Sequence, residues 1–532
     1  MMSRPRRFGL GRFLADIVST LCASIVQESS LDSAPKNLLV NGSHYLMKQE
    51  SYRANSWLES APPTTGTPHP TAHAEHQSHT SETIRPSNTP RVRTEIPGPK
   101  SRALTSREAA HLAPGVQSIS TLSGIAVARA ESSIIEDVDG NRFLDLAAGI
   151  CVNALGHSHP EYGRILKDQI DHAMVGSFTT PRRVDALEKV SSHLPKGLDR
   201  LQFYSGGSEA VEAALRLAKS YTKKYEFLSF WGGFHGKTAG TMSLIGDGTK
   251  NHLGPNMPGT YLTPYADCYR CPLGLKYPSC GIECAQFARK VIKNSTTGEL
   301  AAILIEPIQG TAGNIVPPPE FLPIVREIAS ENNALLLADE MITGFGRTGK
   351  WFAVEHFGVK PDIMTLGKGL GAGFPVAGLA STAAITSATP WGNPSGSSSS
   401  YGANPLASAA VLAASTVIEN ENLVENAARV GDFMLGRFRA LQEKYEFIGD
   451  VRGKGLLIGV ELVKDRVSRE PLDKRVCVRM FHEGMKRGLI SMIYNPHFRV
   501  NPALSMDQAT ADTSIAILDE VFSVIAREGT WR

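Results

Sequence analysis

Two stretches of this sequence decide its fold: LLLADEMITGFGRTGK at residues 335–350 and IMTLGKGLGAGFP at residues 363–375. Each begins with a continuous apolar run, which is typical of a strand buried on both faces of a parallel sheet. The first run ends at Asp339 and Glu340, and the second leads to Lys368 between two glycines. The carboxyl ends of parallel strands meet at one edge of a sheet, so we predict a ligand site there.

Short apolar strands alternate with amphipathic helices from about residue 120 onward. The segment 132–149 predicts a hairpin that turns at Asp139 and Gly140. The helix predicted from residue 208 has apolar residues at helical spacing, namely Val211, Ala214, Leu215 and Ala218. This alternation predicts an α/β fold with a mostly parallel sheet flanked by helices, and the last hundred residues predict a smaller mixed domain.

Residues 1–110 precede this pattern and predict a separate extension. Residues 1–27 alternate arginines with apolar side chains, as mitochondrial targeting segments do, although a disordered extension gives the same pattern. From residue 28 to about residue 110, Ser, Thr, Pro and His dominate, and too little apolar surface is present to offset the entropy of ordering, so we predict that this stretch is disordered. We interpret its histidines as solvated rather than metal-binding: His69, His73, His76 and His79.

The composition excludes several classes of protein. The 532 residues are 42% hydrophobic, carry a formal net charge of +3 and include seven cysteines. A net charge this small does not indicate nucleic-acid binding. The sequence contains no apolar run of about 18 residues, so we do not predict a membrane-spanning helix. Few cysteines, odd in number, favour reduced thiols in an intracellular compartment, either cytoplasmic or mitochondrial.

Lys368 and Asp339 are the candidates for chemistry. A lysine in a tight turn flanked by glycines can be desolvated, lose its proton and attack a carbonyl group. A buried carboxylate such as Asp339 needs a cationic partner, because an unpaired buried charge is costly. For either residue taken alone, the plainer alternative is a charge on a surface loop.

Two glycine-rich loops complete the predicted site. Gly206 and Gly207 lie where a strand turns into a helix, whose free N–H groups and positive end favour phosphate. Phe234 and His235 lie in a second loop and are suited to stack on a flat ring. The plainer alternatives are that Ser208 is only an N-cap and that the aromatic residue belongs to the core.

A phosphate cradle, a stacking aromatic ring, a carboxylate and a reactive lysine are together the contacts that pyridoxal phosphate requires. From about residue 115 to 530, the sequence resembles the class III pyridoxal-phosphate aminotransferases of fold type I. The motifs that carry the resemblance are LGHSHPEY (155–162), YSGGSEAVEAALRLAK (204–219), FHGKTAG (234–240), EPIQGTAG (306–313), LADEMITGFGRTG (337–349), TLGKGLGAGFP (365–375), YGANPLASAA (401–410) and GDVRGKGLLIGVEL (449–462).

The resemblance implies the roles of the central residues. Lys368 matches the family lysine that forms the Schiff base with the cofactor and then moves protons. Asp339 matches the aspartate that keeps the pyridine nitrogen protonated, and Gly206 and Gly207 match the phosphate loop.

The resemblance also implies roles for residues around the cofactor ring and the substrate. Phe234 matches the aromatic residue that stacks on the ring, with His235 beside it. Arg499 matches the arginine that binds the substrate α-carboxylate, a task that suits a planar, bidentate guanidinium. Glu306, after the apolar run 300–305, is expected to support the site rather than to catalyse.

The family organisation implies domains and a dimer. A large cofactor-binding domain is expected at residues 171–420, and a smaller α+β domain at residues 111–170 and 421–532. Ser400 stands where the family usually has a threonine that reaches the phosphate of the neighbouring subunit, so a homodimer is expected.

Transamination from an amino acid or amine to a 2-oxo acid is the predicted reaction. The alternative is a decarboxylating transaminase similar to 2,2-dialkylglycine decarboxylase. Ile150 stands where that subgroup has a glutamine, and an apolar side chain cannot hydrogen-bond the carboxylate that would be lost. Lys237 is expected either to receive a second substrate carboxylate or to be a solvated loop lysine. Thr311 and Ile342 also depart from common residues of the family.

One cysteine-rich segment falls outside this assignment. DCYRCPLGLKYPSCGIECA, residues 267–285, places four thiols at C-x2-C and C-x3-C spacing: Cys268, Cys271, Cys280 and Cys284. This spacing is compatible with zinc or an iron–sulfur cluster. Reduced structural cysteines, or two transient disulfides, are the alternative.

Overall fold

Fourteen strands are present in this computed structural model, which describes residues 89–174 and 176–532 of a unit spanning Ser81–Arg532. In chain order they are β1 (Val127–Glu131), β2 (Ile134–Asp137), β3 (Arg142–Asp145), β4 (Arg200–Tyr204), β5 (Glu226–Phe230), β6 (Thr260–Thr263), β7 (Leu300–Ile305), β8 (Leu335–Asp339), β9 (Ile363–Leu366), β10 (Ala377–Ser381), β11 (Ile448–Lys454), β12 (Leu457–Leu462), β13 (Leu489–Ile490) and β14 (His497–Val500). The two apolar runs of the opening motifs are β8 and β9.

The large sheet has the strand order β4-β10-β9-β8-β7-β5-β6. Its strands run parallel except β10, which is antiparallel to both β4 and β9. Alternate residues of β8 enter two apolar clusters: Leu335 and Leu337 join one, and Leu336 and Ala338 join the other. Both faces of the sheet are therefore buried, which confirms the mostly parallel α/β fold predicted from these runs.

Most of the longer helices form from amphipathic segments. In chain order they are α1 (Pro99–Ala109), α2 (Ser118–Ser123), α3 (Pro160–Ile170), α4 (Pro181–Ser191), α5 (Gly207–Thr222), α6 (Ala239–Ser243), α7 (Glu283–Ser295), α8 (Phe321–Glu331), α9 (Ala383–Thr386), α10 (Pro405–Asn420), α11 (Leu423–Lys444), α12 (Lys474–Lys486) and α13 (Gln508–Glu528). The helix predicted from residue 208 is α5, and its predicted apolar residues are buried against the large sheet. Within the described ranges, none of these helices has the length and apolar character to cross a membrane.

Two smaller sheets complete the fold, with the strand orders β1-β2-β3-β13 and β11-β12-β14. Strands β2 and β3 pair antiparallel, which confirms the hairpin predicted to turn at Asp139 and Gly140. Gly140 has a φ of +83°, which suits glycine at that turn. Strand β13 pairs with β3 in parallel, so segments far apart in sequence share one sheet. The predicted domain boundaries at residues 170 and 420 stay predictions.

Helix α1 corrects one expectation from composition. Residues 99–109 belong to the stretch predicted to be disordered, yet they form this helix. The Asp139 carboxylate accepts hydrogen bonds from the backbone N–H groups of Lys100 and Ser101, each at 2.8 Å. The first turn is thus capped by a residue distant in sequence. Residues 1–88, with the arginine-rich segment and the four histidines, lie outside the described residues.

A buried carboxylate joins the segment around residue 270 to the three-stranded sheet. This residue is Glu461 on β12, and its side chain is 1% exposed. Its oxygens lie 2.5 Å from Arg270 Nε, 2.9 Å from Arg452 Nη2 and 2.8 Å from His497 Nδ1. Burial by itself raises the pKa of Glu461, but the hydrogen bond from His497 and the two guanidinium groups lower it to about 2.

We expect Glu461→Gln to destabilise the folded protein by about 3 kcal/mol at neutral pH, because two guanidinium groups lose their buried counter-charge. A carboxyl pKa lowered from 4.5 to about 2 on folding contributes stability above about pH 4.5 that is lost as the pH falls toward about 2. Urea unfolding at neutral pH and at about pH 3 should show a smaller difference between the two proteins in acid. Glu470→Gln, which removes an exposed ion pair with Lys464, is the control. Equal stability of wild type and Glu461→Gln at neutral pH would contradict the prediction.

Candidate active site

Asp339, the last residue of β8, is held through both carboxylate oxygens. Its Oδ1 accepts hydrogen bonds from the Thr365 hydroxyl at 3.0 Å and from the backbone N–H of Met341 at 3.1 Å. Its Oδ2 lies 2.7 Å from Nδ1 of His235. The side chains of Asp339 and His235 are each 1% exposed. The carboxylate is therefore fixed in orientation and shielded from water.

Lys368 follows β9, the strand beside β8, and begins a short 3₁₀ turn that ends at Leu370. Its φ of +44° lies in the left-handed region, which residues other than glycine adopt rarely. The lysine is half-buried. Within residues 89–174 and 176–532, its amine has no hydrogen-bond or ion-pair partner, which leaves it available for reaction.

Met341 connects the lysine turn to the glycine loop before α5. A Cβ atom built on Gly367 would lie 2.2 Å from Met341 Sδ, and one built on Gly207 would lie 3.2 Å from the same atom. Because neither position carries a side chain, both backbones approach this methionine closely. The end of β8, the lysine turn and the start of α5 therefore form one cluster at the carboxyl edge of the sheet.

The N-terminus of α5 is open. The helix begins at Gly207, and Gly206 before it has no side chain to cap the first turn. Among the described residues, apart from its two chain neighbours, no atom lies within 4 Å of the position that a Cβ of Gly206 would take. Uncapped N–H groups at the positive end of a 16-residue helix are suited to bind a phosphate group.

Phe234 and His235 lie in the loop that follows β5. Glu306, just after β7, accepts hydrogen bonds from the backbone N–H groups of Phe234 and Gly310, each at 2.9 Å. This acid is buried, and burial raises its pKa. Glu306 thus holds two loops together, while Nε2 of His235 lies 3.2 Å from the hydroxyl of Ser229 on β5.

Arg499 lies on β14 opposite Gly459 of β12. A Cβ atom on Gly459 would lie 2.2 Å from the carbonyl oxygen of Gly313, so these strands contact the loop that follows β7. The arginine is half-buried, and its guanidinium has no partner in the part of the chain that the structure describes. Such a guanidinium is suited to an incoming carboxylate.

Ile150 lies in a strained turn. The φ angles of Ala148, Ile150 and Cys151 are +43°, +65° and +64°, and a β-branched residue in this region costs about 1–2 kcal/mol. The backbone of Leu146 is hydrogen-bonded to that of Asn501. The strained turn is therefore anchored beside the segment that carries Arg499.

Two predicted residues lie at the surface of the chain. Lys237 is exposed, and its backbone N–H donates a hydrogen bond to Ser208 Oγ at 3.1 Å, which keeps it beside the start of α5. Ser400 is exposed in the loop before α10. The neighbouring Tyr401 is 63% exposed, so this loop presents an aromatic ring to its surroundings.

The cysteine-rich segment does not support the predicted zinc or iron–sulfur centre. Among the described residues, no group of three or more His, Cys, Asp or Glu side chains could hold a metal ion. The four cysteines line one small cavity, but they are not linked by disulfides: Cys268, Cys271, Cys280 and Cys284. Burial raises the pKa of Cys284 to about 12.

Two hydroxyl residues of the cluster, Thr365 and Ser229, are not among those predicted from the sequence. Each is the single hydroxyl in an otherwise apolar strand segment, IMTL or FLSF, and a polar residue in a buried strand is the signal that could have identified it. The pairing of β8 with β9 places Thr365 opposite Asp339. The folded sheet therefore shows a contact that a lone threonine in the sequence does not.

This cluster fits pyridoxal phosphate. The open N-terminus of α5 offers N–H groups to a phosphate, the buried Asp339 offers a carboxylate, and the Lys368 amine has no competing partner in the described part of the chain. These features define a class of enzyme that holds pyridoxal phosphate at the carboxyl edge of a parallel sheet.

Comparison with known proteins agrees with this class. The chain matches the family described as aminotransferase class-III over residues 116–522. It is 34% identical over 411 residues to the leucine/methionine racemase of Thermococcus litoralis, covering 76% of this chain and 91% of that protein. It is 38% identical over 385 residues to the 4-aminobutyrate aminotransferase of Mycobacterium tuberculosis, covering 70% and 84%.

A solved transaminase structure is also similar to this chain. The amine transaminase from an uncultivated Pseudomonas species, in its pyridoxal-phosphate-bound form, has a TM-score of 0.72 and 31% sequence identity, covering 78% of this chain and 98% of that one. The chain belongs to the class III aminotransferase family. The predicted pyridoxal-phosphate-dependent transaminase is confirmed, and the decarboxylating alternative has no such support.

Proposed function

We propose that this transaminase transfers the amino group of an amino acid or amine to a 2-oxo acid with Lys368 and Asp339 as its two essential side chains. The observation that carries this proposal is the Lys368 amine, which has no partner among the described residues. The lysine lies three residues after Thr365, and Thr365 pairs with Asp339 across β8 and β9. A free amine and a fixed carboxylate at adjacent strand ends are the two groups that the chemistry needs.

The chain would hold pyridoxal phosphate at three points. Gly206 and Gly207 would bind the phosphate, Phe234 would stack on the ring with His235 beside it, and Asp339 would bind the ring nitrogen. When bound, the cofactor supplies a ring that accepts the electron pair left on the substrate carbon.

The remaining residues would orient the substrate. Arg499 would bind the α-carboxylate, and Lys368 would remove the proton from the adjacent carbon and return it. Ile150 offers no hydrogen bond to a carboxylate, which favours loss of the proton over loss of carbon dioxide. Lys237, exposed beside the start of α5, would receive the distal carboxylate of a dicarboxylic 2-oxo acid.

Racemisation of a neutral α-amino acid is the second candidate. The observation that favours it is the 34% identity to a leucine/methionine racemase over 91% of that protein. The same proton would leave the same carbon, but it would return on the opposite face without transfer of the amino group.

A donor screen with pyruvate and 2-oxoglutarate as acceptors tests the proposed function. Transamination predicts that the amino product forms only when donor and acceptor are both present. Racemisation predicts that one enantiomer of leucine, methionine or alanine is converted to the other without an acceptor. If neither occurs with any donor, the proposed function is wrong.

We expect Arg499→Gln to raise KM for α-amino acids about 10- to 100-fold, because a charge-assisted hydrogen bond contributes about 1.5–3 kcal/mol. Primary amines without a carboxylate serve as the internal control, and their KM should stay within about twofold. Steady-state kinetics with both substrate types measures the difference. An equal rise for amines would show that the arginine acts on the fold rather than on the carboxylate.

We also propose that two chains form a homodimer in which Ser400 reaches the phosphate bound by the partner. Ser400 is exposed on its own chain, and large apolar side chains are exposed as well, with Phe178 82% and Tyr401 63% exposed. A partner chain that covers these side chains would bury their apolar surface.

We expect Ser400→Ala to weaken pyridoxal phosphate binding about tenfold, because a hydrogen bond to a charged group is lost. Co-expression with Lys368→Ala subunits provides the control. If the serine acts across the dimer, the mixed dimer contains one complete site and regains wild-type affinity at that site. If the mixed dimer keeps the weakened affinity of Ser400→Ala, the serine acts within its own chain.

A further inference from the structure

We propose that Ser229 is a positioning residue that keeps Nε2 of His235 unprotonated and the ring neutral, so that the Nδ1–H group of His235 holds Asp339 for the cofactor nitrogen. The inference rests on the proposed function and adds to it a residue that does not contact the cofactor. Ser229, His235, Asp339 and Thr365 form a hydrogen-bonded series of four side chains, which lie on different strands or loops.

A hydroxyl group lies at each end of this hydrogen-bonded series. Ser229 Oγ lies 3.2 Å from His235 Nε2, and His235 Nδ1 lies 2.7 Å from Asp339 Oδ2. The Thr365 hydroxyl donates to the other carboxylate oxygen at 3.0 Å. All four residues are buried, with Ser229 and Thr365 0% exposed, so water does not compete for these groups.

Counting donors and acceptors fixes the tautomer. A carboxylate only accepts hydrogen bonds, so Nδ1 of His235 must carry the proton that Asp339 receives. Within the described residues, the Ser229 hydroxyl has His235 Nε2 as its hydrogen-bond partner. If Nε2 also carried a proton, the serine hydroxyl would have to accept, and its own buried proton would have no acceptor. The hydroxyl therefore donates, and Nε2 is unprotonated.

The neighbouring acid does not change this assignment. Glu306 is the other carboxyl group near the ring, and its two oxygens accept hydrogen bonds from the backbone N–H groups of Phe234 and Gly310. It is therefore engaged elsewhere. A neutral His235 leaves the charge of Asp339 for a protonated ring nitrogen, whereas a cationic His235 would compete for that charge in a buried site.

Metal-binding histidines are oriented by a partner group that forms a hydrogen bond with the second ring nitrogen, and Ser229 would have the same role toward His235. Loss of the hydroxyl removes the donor to Nε2. The ring then lacks the donor that keeps Nε2 unprotonated and helps to hold its plane against Asp339.

The test uses the full-length holoenzyme labelled with ¹⁵N-histidine. The His235 signals are assigned by their loss in His235→Asn, and ¹⁵N shifts report which ring nitrogen carries a proton. Wild type should show Nδ1 protonated and Nε2 unprotonated. Ser229→Ala should lose this pattern and bind pyridoxal phosphate about fivefold more weakly, as expected for one lost hydrogen bond.

Thr263→Val is the matched control. Thr263 lies opposite Phe230 on the adjacent strand β6, and its buried hydroxyl has no hydrogen-bond partner in the described part of the chain. Its removal should leave the His235 pattern and the cofactor affinity unchanged. If Ser229→Ala does not fold, Ser229→Cys, which keeps a weak donor of similar size, should give an intermediate affinity.

Two results would overturn the inference: a doubly protonated or Nε2-protonated His235 in wild type, or a tautomer and affinity in the Ser229 variant equal to wild type. Neither outcome affects the proposed function, which fails separately if wild type does not bind pyridoxal phosphate through Lys368.

Discussion

Lys368→Ala should lower kcat/KM for the best amino donor by at least about a thousandfold. The amine would lose two tasks, namely covalent attachment of the cofactor and removal of the proton from the substrate carbon. Proton transfer by a positioned side chain alone contributes about 10²–10⁴-fold, and about a thousandfold corresponds to about 4 kcal/mol of barrier. Stopped-flow and steady-state assays measure the loss.

The same variant should lose the visible absorbance of a lysine-linked cofactor while still binding pyridoxal phosphate at the open N-terminus of α5. Borohydride reduction followed by mass spectrometry should attach the cofactor to wild type at Lys368 and leave the variant unmodified. Lys350→Ala, which removes an exposed lysine, is the control and should behave as wild type. A Lys368→Ala enzyme with more than a tenth of wild-type activity would refute the proposed role.

Asp339→Asn should lower kcat about 10²–10³-fold and weaken cofactor binding. The amide keeps the size of the side chain and its place between Thr365 and His235, but it carries no charge to hold a proton on the ring nitrogen. One of its N–H groups would also face a donor, either the threonine hydroxyl or the histidine Nδ1–H, and a hydrogen bond would be lost there. Cofactor titration and single-turnover kinetics separate the loss of binding from the loss of chemistry.

Glu340→Gln is the matched control, because Glu340 is the next residue and is equally buried. Its carboxyl accepts hydrogen bonds from the backbone N–H groups of Ala353 and Val354 at 3.1 and 2.8 Å, away from His235. Burial raises its pKa to about 7, so the neutral amide replaces a group that is largely protonated below that pH. We expect unchanged kcat in this variant. Equal losses in both variants would mean that Asp339 acts only on the fold.

Much of the fold was predictable from local pattern. Continuous apolar runs ending in Asp339 and before Lys368 predict strands buried on both faces, and the helical spacing around Val211 predicts α5. These predictions are correct because a strand buried on two faces requires apolar residues at every position, and a helix buried on one face requires them at every third or fourth position. The hairpin at Asp139 follows from turn chemistry that acts over a few residues.

The failures have an equally physical cause. Helix α1 was not predicted from the sequence because its first turn is capped by Asp139, which is about 40 residues away in sequence. The four cysteines have a spacing that suits a metal, but spacing along the chain does not determine whether four thiols converge in space. Thr365 and Ser229 acquire their contacts only when β9 pairs with β8 and the loop after β5 folds toward Asp339.

By itself, the sequence determined the strands, the principal helices, the family and the identity of the lysine and the acid, because these depend on residue type and on short-range periodicity. The tertiary structure alone decided which hydroxyl groups fix the Asp339–His235 pair, that Glu306 joins two loops, that Arg499 has no hydrogen-bond or ion-pair partner among the described residues and that Ser400 faces outward. Those properties are set by contacts between segments remote in sequence, and only the pairing of strands and the packing of loops bring such segments together.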